Sequence, residues 1–191
     1  WHCLHLPICF PIFRLQNLEI FAGAHGFTGP ANRGGTGSFG FQEGVNWGGS
    51  LPFLHNAVSL QAGGMVTQSN FNGSNFTLDD RHQVFVTGGL FRRADHGLQG
   101  GVVFDYMHDD WYYKVDLSQL RGELSWVFDC SHELGVWFTA GFDDQRVSRQ
   151  FRTAQVPNGA RVFETFEVND IMAFFYRQQL MDGGEGRIWG G

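Results

Sequence analysis

The sequence has no run of about 18 apolar residues, the length that a membrane-spanning helix needs, so a helical span is excluded. A spanning β-strand is not excluded, because it needs only about 9–11 residues of which every second one is apolar. In such a strand the hydropathy of the apolar residues is offset by that of the polar ones, in agreement with the mean hydropathy of −0.20. Proline is scarce, with five residues, and charged residues make up only 17% of the chain. This composition is typical of an ordered, strand-rich protein.

Basic side chains are also few. Lys114 is the single lysine, the arginines are scattered, and the net charge is −6. A nucleic-acid partner is therefore not expected. The three cysteines, Cys3, Cys9 and Cys130, lack the spacing of metal ligands, and their odd number leaves at least one thiol unpaired in any disulfide scheme.

Glycine and phenylalanine are abundant, with 27 and 20 residues, and they take part in a recurrent alternation of polar and apolar positions. From Ser38 to Gly48 the odd positions are Phe, Phe, Glu, Val and Trp, whereas most even positions are Gly, Gln or Asn. A period of two predicts a β-strand with one apolar and one polar face.

Eight such segments follow one another along the chain. We therefore predict an all-β fold, an antiparallel up-and-down meander closing into a barrel, with about eight to ten strands visible. The predicted strands cover residues 18–24, 38–47, 56–67, 82–91, 98–106, 112–128, 133–142 and 161–177.

Two predicted strands change phase. In 112–128 the apolar positions switch from odd to even near Ser118 and Gln119, where a β-bulge would restore the facing. In 161–177 the switch occurs near Asn169 and Asp170, and a short helix at the end of this segment is an alternative.

The predicted connections are long after the first, third and seventh strands and short after the second, fourth and sixth. Long loops would then gather at one end of a barrel, as in outer-membrane proteins. Three acidic pairs fall at this end: Asp79 and Asp80, Asp109 and Asp110, Asp143 and Asp144. They could bind Ca²⁺ or Mg²⁺ weakly, but solvated loop tips are the favoured interpretation because aspartate is a common turn residue. We predict no other cofactor.

The densest ionisable cluster contains Asp105, His108, Asp109 and Asp110. Histidine with carboxylates can hold a metal or act as a general base, but no matching nucleophile or second ligand set accompanies it. A strand end and turn is the simpler interpretation, so we predict no catalytic residue.

The apolar faces could form the core of a soluble barrel or contact lipid in a membrane barrel. Aromatic residues near the predicted strand ends favour lipid, because such residues form interfacial girdles. Glu43 counts against it, since it interrupts an apolar face. The predicted girdle comprises Trp47, Phe53, Trp111, Tyr112, Tyr113, Trp126 and Phe128, and the predicted polar or lumen face includes Gln42, Gln61, Asp105, Arg121, Glu123 and Glu133.

The two ends of the sequence differ from the rest. Residues 1–16 show no alternation and are predicted to lie outside the core, as the remnant of an export signal or a misassigned start. Residues 17–191 form the predicted barrel domain, and 187–191 resemble the opening of a further strand, so the chain is predicted to be a fragment of a larger barrel.

Four segments carry a resemblance: Phe39–Gly48, Gln83–Arg93, Gly97–Val103 and His108–Tyr113. Over residues 17–191 the chain resembles an uncharacterised family of predicted envelope β-barrel proteins from planctomycete-type bacteria. The resemblance implies a secreted protein that continues beyond residue 191, and it brings no known activity.

Together these observations predict an outer-membrane β-barrel of the bacterial cell envelope, with lipid as its partner and a structural or passive-pore role. The alternative is a soluble exported β-sandwich or barrel that binds carbohydrate through the loop aromatics 111–113. A hydrolase would require Asp105 and His108 to share a pocket with a third polar group.

Overall fold

The computed structural model describes residues 17–27, 38–51, 57–70, 80–111, 113–128, 131–153, 156–180 and 184–191. β-strands account for most of these residues, and the described part of the chain contains no α-helix. No helix in it is long and apolar enough to span a membrane. The strands are β1 (Leu18–Phe27), β2 (Ser38–Ser50), β3 (Ser59–Asn70), β4 (Arg81–Arg92), β5 (Gly97–Asp110), β6 (Lys114–Phe128), β7 (His132–Gly141), β8 (Gln145–Thr153), β9 (Val156–Phe166), β10 (Ile171–Gln179) and β11 (Glu185–Gly190).

Nine of the strands form one antiparallel sheet in the order β1-β2-β3-β4-β5-β6-β7-β10-β11. The strands β8 and β9 pair only with each other, as a separate hairpin inserted between β7 and β10. The sheet is open, with β1 and β11 as its edges. The predicted all-β antiparallel meander is confirmed.

The last predicted strand, 161–177, is wrong. It is divided into β9 and β10, which are separated by residues 167–170. The division is required because β9 pairs with β8 whereas β10 pairs with β7. Residues 145–153, predicted as a connection, form β8, and the alternative of a short helix at the end of 161–177 is wrong because 171–179 form a strand.

The predicted β-bulge at Ser118 and Gln119 is also wrong. The ladder between β5 and β6 runs without interruption from Gly97 opposite Val127 to Asp110 opposite Lys114. The strand alternates regularly throughout, and only the residue types change. The first residues of β6 place apolar side chains on the face that is otherwise polar.

The β8–β9 hairpin explains why apolar residues are tolerated there. The Tyr113 ring lies 5.7 Å from the ring of Phe166, at the end of β9, and Val115 is buried. Backbone atoms of β6 are also engaged, because the amide of Phe142 donates to the carbonyl of Ser118 at 3.1 Å and the amide of Asp116 donates to the Gln145 side chain. The hairpin thus covers the first residues of β6.

The strand register assigns each side chain of the sheet to one of two faces. The first contains Gln42 and Thr67, Asp105 and Gln119, and we call it the polar face. Its buried side chains are Thr67, Ser69, Val115, Ser125, Val127, Glu133, Thr139 and Phe175.

The opposite face, which we call the apolar face, is exposed. Leu124, at the centre of the apolar stretch Leu120–Phe128 of β6, is 51% exposed and is flanked in the register by Gly100 and Val136. The large apolar side chains exposed on this face include Ile20, Phe39, Phe41, Val45, Val66, Val84, Val86, Leu90, Leu98, Val102, Phe104, Leu124, Trp126, Phe128, Leu134, Met172, Phe174, Tyr176 and Ile188.

The sheet curves around its polar face. Phe21 of β1 and Leu117 of β6 line the same cavity, although five spacings of about 4.8 Å would separate them by about 24 Å in a flat sheet. The strands are also staggered. We call a series of residues that are paired from one strand to the next a register row. The row that begins at Leu18, the first residue of β1, reaches Ala140, the last residue but one of β7. Curvature and stagger of this kind accompany the strand tilt of β-barrels.

Candidate functional site

The polar face carries a hydrogen-bonded network around Asp105 in the middle of the sheet. Thr87 Oγ1 donates to the Asp105 carboxylate at 2.7 Å and Gln119 Nε2 donates at 3.0 Å. Arg121 approaches both carboxylate oxygens at 3.1 Å, through Nη2 and Nε. Because Asp105 accepts from three neighbours, it links β4, β5 and β6 across the polar face.

A second network surrounds Glu133, whose side chain is only 2% exposed. Gln99 Nε2 donates to Glu133 Oε1 at 2.7 Å, and Ser125 Oγ donates to the same oxygen. The Arg177 guanidinium contacts the other carboxylate oxygen and lies 3.5 Å from Glu185. Four strands, β5, β6, β7 and β10, are thereby joined by one buried carboxylate.

Arginines of the polar face line a cavity of about 410 Å³ next to these networks. Its lining includes Arg121, Arg177 and Arg187 together with Glu123. The Arg187 guanidinium lies over the Phe175 ring, 4.7 Å from its centroid, and 3.7 Å from the Glu123 carboxylate. This part of the face therefore alternates positive and negative groups.

Apolar side chains also cross the polar face, in one register row of six strands. We call Phe21, Met65, Phe85, Met107 and Leu117 the apolar row. Gly44 occupies the remaining place in this row, and a Cβ on it would meet the Phe21 ring and lie 2.9 Å from the carbonyl oxygen of Gly64. The Phe21 ring therefore lies over Gly44 and keeps the row continuous.

Replacing Gly44 by alanine is expected to displace the Phe21 ring and to lower the free energy of unfolding by about 1–2 kcal/mol, as overpacking does. The control is Gly48→Ala on the same strand and face, where the nearest atom to the new Cβ would be 3.5 Å away. Denaturant unfolding of the two variants measures the difference, and equal stabilities would contradict the close contact.

The six predicted polar-face residues all lie on the polar face. Gln61 Nε2 donates to Asn46 Oδ1 at 3.1 Å, and Asp105 and Arg121 belong to one network. Glu133 is the centre of the other network. The complete set is Gln42, Gln61, Asp105, Arg121, Glu123 and Glu133.

The predicted girdle residues separate into three groups. Trp47, Trp126 and Phe128 lie on the apolar face. Tyr113 is buried against Phe166, and Trp111 is half-buried in the turn after β5. Phe53 and Tyr112 lie outside the described residues.

Two of the described members of the acidic pairs are bound by basic side chains. Asp109 is held by Arg81, whose Nε donates at 2.8 and 3.1 Å, and Asp110 is bound by Lys114 at 2.8 Å. Asp80 precedes β4, and Asp143 and Asp144 are exposed between β7 and β8, whereas Asp79 lies outside the described residues. Within the residues described here, no three His, Cys, Asp or Glu side chains are close enough together to hold a metal ion.

The ionisable cluster on β5 is divided between the two faces. Asp105 and Asp109 lie on the polar face, whereas His108 and Asp110 lie on the apolar face. His108 Nδ1 lies 2.6 Å from the carboxylate of Asp116. Asp105 and His108 therefore do not share a pocket.

Sequence reasoning missed the partners of the charged residues and the apolar row. Arg177 and Gln99 bind Glu133, and Arg81 binds Asp109. Alternation within β10 alone would have placed Arg177 on the polar face. The prediction of 161–177 as one strand hid this placement, because the phase changes within that segment. The apolar row gives no signal within one strand, because each strand contributes only one member.

Comparison with known proteins places the chain in a family. A search of curated proteins and of solved structures found no match. The described strands all fall within the segment that a family model matches, residues 17–191. The chain belongs to a family of unknown function, DUF6666.

Proposed function

We propose that this chain forms the wall of an outer-membrane-type β-barrel of the bacterial cell envelope, with a structural or passive-pore role. The observation that carries the proposal is that the apolar face is exposed and the buried side chains lie on the polar face, the reverse of a soluble protein. Apolar side chains such as Leu124, Phe174 and Ile188 are 51, 61 and 72% exposed, whereas Glu133 is 2% exposed. Monomeric soluble proteins rarely expose an apolar surface of this extent.

The dimensions support the same proposal. A β-strand that spans a bilayer needs about 9–11 residues, and the strands from β1 to β7 contain 10 to 15 residues each. The outward side of β6 is apolar from Leu120 to Phe128, which is about 27 Å along the strand.

A passive role is favoured because charged groups of the polar face bind one another. Asp105 and Glu133 are each bound by several side chains of other strands. Barrels of about eight strands are filled by side chains in this way, so any pore through the described part of the wall would be narrow.

The experiment that tests the proposal is tryptophan quenching by lipid. The chain is refolded into phosphatidylcholine vesicles, with and without brominated acyl chains, as wild type and as Trp126→Phe and Trp137→Phe. Trp126 is 47% exposed on the apolar face, whereas Trp137 lies on the polar face. We expect the loss of Trp126 to remove a quenched component and the loss of Trp137 to leave the quenching unchanged.

A fractionation experiment gives an independent reading. Expressed with an export signal in a host with an outer membrane, the protein should remain in the detergent-extracted membrane fraction and migrate faster on gels when it is not heated. Recovery as a soluble species, with no quenching of Trp126 by brominated lipid, would refute the proposal and direct the search to sugar binding.

Glu43 provides a test within the apolar face. It lies between Ala22 and Val66 in the register, and a carboxylate exposed to lipid is destabilising. Glu43→Leu is therefore expected to stabilise the protein in vesicles by about 1 kcal/mol, a smaller effect than that of a basic residue. Gln42→Leu on the polar face is the control, and urea unfolding in vesicles is the measurement. A loss of stability in Glu43→Leu would indicate that this position does not meet lipid.

A further inference from the structure

The apolar row interrupts a face that is polar on both sides of it. The register row before it contains Asn46, Thr87 and Gln119, and the row after it contains Gln42 and Gln83. Five strands each place one apolar side chain at the same level, from Phe21 on β1 to Leu117 on β6. These side chains are only half-buried, so the row keeps contact surface for another molecule.

The connection 167–170 borders the cavity that the apolar row lines. Val168 lines the same cavity as the apolar row. The connection is fixed to β7 by two hydrogen bonds: Thr139 Oγ1 donates to the Asn169 carbonyl at 2.9 Å, and the Gly141 amide donates to Asp170 Oδ1 at 2.8 Å. One border of the cavity is therefore anchored to the sheet.

The size and lining of the cavity define a class of ligand. Its volume is about 520 Å³, which is within the range of small-molecule pockets. Two methionines, Met65 and Met107, flank Phe85 in the register, and methionine adapts to varied apolar shapes.

The polar rim selects the head group of such a ligand. Glu19, Asp105 and Arg121 all line the cavity, so two carboxylates stand against one guanidinium, and that guanidinium is bound to Asp105. An anionic head would meet this excess of negative charge, whereas Asn46 and Gln119 offer amide groups for hydrogen bonds.

We infer that this cavity binds a small amphipathic molecule with an aromatic or alkyl body and an uncharged hydroxyl or amide head. The inference follows from the cavity alone and does not depend on the membrane, because the apolar row lies on the polar face.

Methionine methyl NMR can test this inference with an internal control. Protein labelled with ¹³C at the methionine methyls is titrated with 2-naphthol and, separately, with 2-naphthoate. We expect saturable shifts of the Met65 and Met107 methyls with 2-naphthol and at least tenfold weaker binding of 2-naphthoate. Met172 is 60% exposed on the apolar face and reports partition of the probe into lipid.

Two variants complete the test. Leu117→Gln should weaken the binding of 2-naphthol about tenfold, equivalent to about 1.4 kcal/mol, whereas Leu180→Gln, outside the sheet and 52% exposed, should leave it unchanged. Shifts confined to Met172, or shifts of Met65 and Met107 that never saturate, would overturn the inference, and equal affinity for 2-naphthoate would overturn the assignment of the head group. If the protein is water-soluble, the same titration is carried out in buffer, so failure of the membrane proposal is read separately.

Discussion

Replacing Glu133 by glutamine is expected to lower the free energy of unfolding by about 3 kcal/mol. The carboxylate is 2% exposed and binds Arg177, Gln99 and Ser125. Removing one partner of a buried ion pair leaves the other charge uncompensated, which costs about 3–5 kcal/mol. The lower end of the range applies because Arg177 retains Glu185 at 3.5 Å. Denaturant unfolding of the refolded protein measures the change.

The matched control for this prediction is Glu185→Gln. Glu185 approaches the same guanidinium but is 48% exposed, and exposed ion pairs contribute about 0–1 kcal/mol. The double variant Glu133→Gln with Arg177→Leu should recover part of the lost stability, because no unpaired charge remains. If Glu133→Gln and Glu185→Gln cost the same, the buried network does not stabilise the sheet.

Leu124→Arg is expected to destabilise the protein in lipid vesicles by about 2–4 kcal/mol, the cost of a basic residue near the middle of the lipid-facing side of a barrel. Leu124 is 51% exposed at the centre of the apolar stretch Leu120–Phe128 of β6, with Val136 beside it. This large loss is expected only if the apolar face contacts lipid. If the face contacts water, the substitution should change stability by about 0.5 kcal/mol or less, as surface substitutions do.

Leu180→Arg is the control that distinguishes contact of the apolar face with lipid from contact with water. Leu180 has nearly the same exposed fraction, 52%, but lies after β10 and not in the sheet. Urea unfolding in vesicles should show a large loss for Leu124→Arg and little change for Leu180→Arg. Two small changes of similar size would mean that the apolar face meets water.

Local alternation predicted the strands well because it needs only the residues of one strand. It placed Gln61, Asp105 and Glu123 on one face without any knowledge of their partners. It could not decide which face is enclosed, since both choices produce the same pattern. That decision requires the curvature of the sheet, which depends on contacts among many strands.

The errors have a physical origin in the hairpin. The sequence of β8, QRVSRQFRT, carries few apolar residues and pairs only with β9. Its existence therefore depends on a partner close in sequence and not on burial against the main sheet. The apolar residues at the start of β6, such as Val115, make sense only once Phe166 and Tyr113 are known to meet there.

The order of the strands has a consequence for how the chain folds. Every pairing in the main sheet joins strands that are consecutive in the sequence, except that of β7 with β10. Consecutive pairs close short loops and form quickly, whereas a distant pair must bring its ends together across a longer loop at a greater cost in entropy. When β8 and β9 pair first, they draw residues 142–144 and 167–170 together and shorten that loop. Formation of the hairpin thus lowers the entropy cost of pairing β7 with β10.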